Sequence, residues 1–394
     1  MLRVGFIINN PDNRWLGGIN YITNLINALT SDPARTIEPV LFVPKNASDE
    51  FIAGLPDVEI VRTDLVAGRS PSRIVGKAFE RVFHSNPLMA ALLRKHGVQL
   101  LSHSVKPGSK SSMPTIAWVP DLQHKHLPQF FSPEELENRD QNIEIQIAQS
   151  DLVIMSSLDA QKDINSFFPN SSGKTRVLHF ASLNSKHDDK IDENIDGVAE
   201  KYDLSSPYIH LPNQFWRHKN HTVVIDALEA LKDRGATISV VCTGQTEDYR
   251  SPGYYQDLMA RVSDARLSDT FRSLGVVPYG DMKAIMAGAA AVLNPSLFEG
   301  WSTTIEEAKA MGKIILLSDI PVHREQNPKR AFFFAPNNGE ALADRMLEAM
   351  DAYDAAHEKR EREIAARELD DRVLQFSATY AEIAKEALSK RPLQ

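Results

Sequence analysis

The sequence predicts an α/β protein built as two parallel-sheet halves, on three observations. Short apolar, β-branched runs alternate with helix-length amphipathic stretches from end to end. The runs are continuously apolar rather than alternating, and the pattern breaks once, near residue 184, before starting again. Strands separated by helical segments indicate βαβ units and parallel pairing. Continuous apolarity marks strands covered on both faces. At 394 residues the chain suits two domains, each long enough to bury its own core.

In order, strands are expected at residues 4–8, 40–43, 100–103, 115–119 and 152–155, with an amphipathic helix at 19–29 after the first. Residues 184–197, NSKHDDKIDENIDG, are polar and acidic and read as a linker or loop. A second series follows, with strands at 208–211, 238–242, 291–293 and 314–317 and helices at 222–232 and 303–311. Near the end, Val373, Phe376, Tyr380, Ile383, Ala384 and Ala387 have helical spacing. That helix either caps the second half or crosses back to the first. The expected division is an N-terminal domain over 1–185, a linker over 186–198, a second domain over 199–369 and a terminal helix over 370–394. Two such halves imply Rossmann-like domains facing across a central cleft.

Composition narrows the function. Lys and Arg number 44 against 52 Asp and Glu, a net charge of −8 that disfavours non-specific nucleic-acid binding. The single cysteine, Cys242, excludes an internal disulfide framework and a Cys-rich zinc site. No apolar run reaches the ~18–20 residues of a membrane span. The opening MLRVGFII lacks a signal peptide's basic segment, apolar core and cleavage site and reads as a strand. The expectation is a soluble cytoplasmic protein.

The densest motif is NPSLFEGWSTTIEEAKAMGKIILLSD, residues 294–319. Val292 and Leu293 end a strand, Pro295, Ser296 and Gly300 form the loop, and Ser302 or Thr303 suits a helix N-cap. The helix runs through Met311 and is closed by Gly312. Strand, glycine loop and helix start make an anion site at the carboxyl edge of a sheet. Glu299 sits in the loop and Glu307 about one turn into the helix, with seven residues between them. Carboxylates are poor phosphate partners, so this pair would take sugar or ribose hydroxyls beside a phosphate on the helix start. Glu306 reads as a solvated neighbour.

This segment closely resembles the signature of retaining glycosyltransferases of the GT-B fold, specifically glycosyltransferase family 4 (glycosyl transferase group 1). The resemblance implies that Glu299 contacts the donor sugar's hydroxyls, that Glu307 contacts the nucleotide ribose, and that the backbone around Ser302, Thr303 and Thr304 holds the diphosphate. The sequence departs from the family at Ser302, where a glycine is usual, and at Thr304, where a proline is frequent. Residues 207–231 resemble the family's first strand, loop and helix of the donor domain. Lys219 matches a diphosphate-neutralising lysine, whereas the partner arginine's position is held by Gln214 and Arg217 is the nearest replacement. Arg217, His218 and Lys219 put positive charge just before a helix start, which suits a dianionic leaving group. Gly244 stands where the family turns from strand to loop near the nucleotide, and Val277, in LGVVPYGDM, where the backbone reads the base.

In the first half, Gly17 and Gly18 lie between the first strand and its helix, a position that lets backbone approach a ligand closely, and resemble the family's Gly-Gly donor loop. They do not form the GxGxxG dinucleotide fingerprint. WVPDLQHKHLPQFFS, residues 118–132, resembles a family segment whose first histidine lies near the anomeric carbon; that position is Pro120 here. Asp121 becomes the partner or base for the acceptor hydroxyl, and His103, His124 and His126 are acceptor-side candidates. Residues 69–95 carry six Lys or Arg and one Glu with apolar residues interleaved. Two readings stay open there: a helix resting on an anionic membrane, or a basic surface helix with a buried apolar stripe.

The whole implies a hexosyltransferase-like, metal-independent, retaining enzyme. It would move a sugar from a nucleotide-diphosphate donor to a glycan or lipid-linked acceptor hydroxyl in surface-glycan assembly. It would have no cofactor and no nucleic-acid partner, and would be cytoplasmic or peripheral at the inner membrane. The alternatives are a GT-B epimerase or phosphorylase, or a silent nucleotide-binding homologue.

Overall fold

The computed structural model describes residues 1–9, 16–68, 70–183 and 191–390. It divides into two units: Met1–Leu122 with Pro133–Leu183 and Asp371–Gln394, and Gln123–Ser132 with Asn184–Asp370.

In the first unit the strands are β1 (Leu2–Ile7), β2 (Ile37–Pro44), β3 (Glu59–Thr63), β4 (Leu100–Ser102), β5 (Thr115–Val119), β6 (Leu152–Met155) and β7 (Thr175–Val177). They form one parallel sheet in the order β3-β2-β1-β4-β5-β6-β7. Val4, Phe6, Val40, Phe42 and Leu101 are fully or nearly fully buried. The helix after β1, α1 (Leu16–Ser31), begins early enough that Gly17 and Gly18 occupy its first turn rather than a preceding loop.

In the second unit β8 (Tyr208–Leu211), β9 (Ser239–Cys242), β10 (Phe271–Ser273), β11 (Ala291–Asn294), β12 (Ile314–Ser318) and β13 (Ala331–Phe334) form a parallel sheet, ordered β10-β9-β8-β11-β12-β13. Both sheets reverse direction beside their first strand, at β1/β4 and at β8/β11. In doubly wound sheets that reversal, outside the strands' carboxyl ends, is where ligands bind. Helices α9 (His221–Asp233) and α14 (Gly339–Ala352) cover one face of the second sheet over a core that includes Ile209, Leu211, Leu293 and Leu316, and α12 (Thr303–Ala310) packs on the other face with Val292, Ile315 and Leu317.

Three expectations change. The stretch read as a linker, 186–198, overlaps helix α8 (Ile191–Lys201), while 186–190 lie outside the described residues. Ile195 and Val198 pack against the second unit's core, and Lys201 bonds Asp281 Oδ2 at 2.6 Å, so tertiary contact holds a helix whose composition is polar. Residues Gln123–Ser132, assigned on sequence to the first domain, pack with the second unit. The terminal helix, α15, runs from Ala355 to Ser389, longer than the expected 370–394 element, and its residues from Asp371 onward belong to the first unit. There Ser377 Oγ donates to Asp32 at 2.6 Å, Arg176 pairs with Glu386, and Tyr380 packs against Phe6. Among the described residues no helix is long and apolar enough to cross a membrane.

Candidate functional site

The loops leaving β8 and β11 meet at the reversal of the second sheet. After β8 the chain makes a single 3-10 turn over Arg217–Lys219, and Asn220 takes the left-handed conformation that Asn tolerates. Asn220 Nδ2 donates to the carbonyls of Pro295 (3.2 Å) and Pro336 (2.8 Å), and the Leu297 amide donates to the His218 carbonyl (2.8 Å). These bonds lock the two loops together.

Their side chains then form one polar network. Lys219 Nζ lies 2.5 Å from Glu299 Oε1, and the Ser296 hydroxyl lies 2.7 Å from the same oxygen. Asn294 Oδ1 accepts from Asn213 (3.1 Å), and Asn294 Nδ2 donates to Ser302 Oγ (2.8 Å), which caps α12 by accepting from the Ile305 amide. The Ser302 hydroxyl is therefore taken up in holding the helix start, and the Thr304 hydroxyl turns inward to Asn213 at 3.5 Å. Gln326 clamps Ser302 from below, accepting its amide proton at 3.1 Å and donating to its carbonyl at 3.0 Å. With the Ser302 and Thr304 hydroxyls so engaged, the amides of Thr303 and Thr304 are the first-turn donors left without an intrahelical acceptor.

Glu306 corrects the sequence reading. It is 1% exposed, accepting from Gln326 and Lys309 at 3.0 Å each, because its face of α12 turns toward α13 (Pro321–Gln326) rather than solvent.

The two signature carboxylates sit in opposite electrostatic environments. Burial would raise the pKa of Glu299, but Lys219, the neighbouring His218 and the Ser296 hydroxyl overcome it and hold the carboxyl at about 2. Glu307 has only the Tyr279 hydroxyl at 2.9 Å and the more distant Lys283, so desolvation prevails and its pKa rises to about 7. In each case one oxygen is engaged; among the described residues Oε2 of Glu299 and of Glu307 takes no hydrogen bond.

Gly244 and Val277 lie on neighbouring loops. Gly244 has φ +146°, and a Cβ there would stand 2.5 Å from the Asn213 carbonyl oxygen, so only glycine lets the β9 loop cross the β8 loop. Val277 is half-buried and packs on the core beside Tyr208. Arg217 is exposed, its guanidinium 5.4 Å from the Tyr254 ring.

Several residues of this site were missed on sequence. Asn213 and Asn294 stand inside the quoted segments without having been singled out, and Gln326 lies beyond them; the Asn213–Asn294 and Gln326–Ser302 bonds span 81 and 24 positions. His323 is buried, its Nδ1 2.8 Å from the Ser318 carbonyl and its pKa pushed down to about 4 by burial. Arg250 is also buried, with its guanidinium 4.7 Å from the Trp216 ring and 5.0 Å from the Phe131 ring. Arg250 Nη1 also donates to Gln123 Oε1 at 3.2 Å. It ties the segment Gln123–Ser132 to the β8 loop. In that segment helix α5 (Gln123–His126) stands where the sequence suggested a loop; His124 is buried, and exposed His126 stacks on Phe298, next to Glu299, at 5.1 Å.

The remaining candidates belong to the first unit. Gly17 is exposed and Gly18 buried; Asp121 is half-buried just after β5. His103 has φ +55° and its Nδ1 lies 2.9 Å from Ser102 Oγ, while burial pushes its ring down to about 3, so it is neutral and does not act as an acid at ordinary pH. Among the described residues no three His, Cys, Asp or Glu converge as metal ligands.

Residues 198–367, which lie within the second unit, match the family described as Glycosyl transferases group 1. Over 123 residues the chain is 29% identical to the O-antigen chain mannosyltransferase RfbU of Salmonella typhimurium, a match covering 31% of this chain and 33% of that protein. The match thus spans about a third of the curated relative's length. A glycosyltransferase from Rickettsia africae superposes with a TM-score of 0.70 at 17% identity, covering 99% of both chains. Anabaena Alr3699/HepE, solved with UDP and glucose, gives 0.67 at 15% identity over 97% of this chain and 99% of that one. WaaG, a glycosyltransferase involved in lipopolysaccharide biosynthesis, gives 0.60 at 12% identity over 98% and 99%. The fold is GT-B.

Proposed function

We propose that the chain is a retaining glycosyltransferase that moves a sugar from a nucleotide-diphosphate donor to an acceptor hydroxyl in the assembly of a surface glycan. The observation that carries this reading is the Lys219–Glu299 pair beside the α12 start, at the reversal of the second sheet. Lys219 spends one of its three protons on Glu299 and keeps two for phosphate oxygens. With exposed Arg217 and the backbone of Ser302–Thr304, it stabilises the departing diphosphate, charge stabilisation that is usually the largest catalytic contribution. These groups take the part a metal ion would otherwise play. Glu299 accepts from donor-sugar hydroxyls through Oε2, and Glu307 accepts from the ribose in the same way. Gly244 and Val277 shape the nucleotide pocket, with His124 and His126 as acceptor-side groups, and Gly17, Gly18 and Asp121 are the first unit's candidates for donor and acceptor contact. Retention follows if the acceptor attacks from the face the diphosphate leaves, with a phosphate oxygen taking its proton.

Support for the donor class comes from Anabaena Alr3699/HepE, whose solved complexes hold UDP and UDP-glucose. Support for the acceptor class comes from the O-antigen relative. In this reading the acceptor is a glycan, free or lipid-linked, and the enzyme works in the cytoplasm, against the inner membrane when the acceptor is lipid-linked.

The test is a thermal-shift screen against UDP, GDP, ADP, dTDP and NAD, followed by turnover of the matching sugar nucleotides. A nucleotide at 100-fold its dissociation constant stabilises the protein by about 2.7 kcal/mol. One diphosphate should stand out, with its effect lost in Lys219→Ala and Glu307→Ala. A response to NAD alone, or to none, overturns the reading. Turnover without an acceptor, or only with inorganic phosphate, would replace transfer by epimerisation or phosphorolysis.

A further inference from the structure

Helix α3 (Pro71–Phe83) is amphipathic in the wrong direction for a helix packed on a protein. Gly76 is the buried position among its described side chains, and a Cβ there would meet Asn86 Nδ2 at 2.8 Å. Glu80 also faces inward, accepting from Asn86 Nδ2 at 2.8 Å, and Asn86 in turn caps helix α4 (Pro87–Lys95). The small and polar side therefore docks on the first unit. The apolar side faces solvent: Ile74, Val75, Phe79, Val82 and Phe83 are 61%, 46%, 38%, 68% and 59% exposed, and Leu88 adds 40% from α4. Positions 74, 78, 82 and 75, 79, 83 lie in adjacent rows, so these side chains form one stripe. The sequence reading of a buried apolar stripe is thus reversed.

Charge identifies what covers it. The chain as a whole is −8, yet residues 69–95 hold six Lys or Arg against Glu80 alone, with exposed Lys77 beside the stripe and exposed Arg94 and Lys95 at the end of α4. An isologous contact with a second copy would set this basic surface against itself. An anionic bilayer satisfies both halves of the surface, taking the apolar row into the acyl boundary and the basic groups at the lipid headgroups. We propose that α3 is a peripheral docking helix for an anionic lipid surface. This deepens the reading of a lipid-linked acceptor, because it holds the enzyme where such an acceptor resides.

The experiment is co-sedimentation with vesicles of phosphatidylcholine alone or mixed with phosphatidylglycerol, together with fluorescence of the Phe79→Trp variant. The protein should bind the mixed vesicles and lose binding as salt rises. Emission from the introduced indole should shift to the blue on binding. Val82→Glu with Phe83→Glu should abolish binding, and Lys77→Gln should weaken it about fivefold. All these side chains are exposed, so thermal midpoints should not change. Nucleotide-induced thermal shifts should persist in the variants, which separates failure of this proposal from failure of the donor site. Absence of binding to the anionic vesicles, or equal binding by Val82→Glu/Phe83→Glu, overturns the proposal. So does a lipid-free dimer that the double variant dissociates.

Discussion

Lys219 and Glu299 are eighty positions apart in the chain and meet at 2.5 Å, each side chain less than a fifth exposed. One residue leaves the first strand of its sheet and the other the fourth, so the pair exists only because β8 and β11 are neighbours. The ammonium proposed above for phosphate is thereby held by a carboxylate whose second oxygen takes no hydrogen bond among the described residues.

Breaking that pair should be costly to stability as well as to binding. Lys219→Ala leaves Glu299 enclosed without its cation and should destabilise the protein by about 3 kcal/mol. The double variant Lys219→Ala/Glu299→Gln should recover part of that loss. Chemical denaturation of the four proteins closes the cycle; additive losses would show that the pair has no coupling.

Acid should reveal Glu299. Its carboxyl is held at about 2 against an ordinary 4.5, so the unfolded chain binds the proton first. The stability it contributes is complete above 4.5 and is lost as pH falls toward 2. Glu299→Gln should flatten that part of the curve of stability against pH.

Glu307 should behave in the opposite sense. Its pKa is raised to about 7 from 4.5, so the folded protein holds the proton more tightly. Its contribution is complete below 4.5 and is lost as pH rises through 7. Glu307→Gln should remove this slope. Nucleotide affinity should strengthen as pH rises through about 7 in the parent protein and stay level in the variant, because a carboxylate accepts from ribose hydroxyls better than a carboxyl. Isothermal titration across that range decides it.

Gly244→Ala should disturb the site without touching any charge. The new methyl would stand 2.5 Å from the Asn213 carbonyl oxygen at a φ of +146°. Strain of this kind costs about 1–3 kcal/mol, and the β8 loop must shift to relieve it. Both a lower thermal midpoint and weaker nucleotide binding are expected; an unchanged midpoint would mean the loops do not cross so closely.

Arg250→Ala should loosen the segment Gln123–Ser132. The substitution removes a buried cation from between Trp216 and Phe131 and takes the cation from Asp248, whose side chain is 2% exposed and keeps the amide of residue 250 as a donor. Hydrogen exchange at residues 123–132 should quicken, while exchange in β8 and β11 stays slow.

The strands missed on sequence, β3, β7, β10 and β13, are the outer strands of the two sheets. An edge strand is covered less completely, and three of them carry weak apolar runs: β3 is EIVRT, with no residue of it buried, β7 is TRV and β10 is FRS, whereas β13, AFFF, is apolar and was legible but not singled out. The inner strands, covered on both faces, were legible because burial demands continuous apolarity. The α12 segment was legible for a related reason, since cap, helix and closing glycine are consecutive in the chain. Helix α8 was not, because two apolar side chains that pack on the second unit outweigh an acidic composition.

The sequence by itself determined the two α/β series, the strand–loop–helix that carries Glu299 and Glu307, and the basic turn that carries Lys219. All of these rest on local spacing. Tertiary structure alone decided that Lys219 closes on Glu299, that Gln326 holds Ser302, and that Asn213 holds Asn294 and Thr304. It also decided that Glu306 is enclosed while α3 turns its apolar side outward. Those outcomes depend on which faces of distant elements are brought together, and a pattern of neighbours along the chain does not encode that.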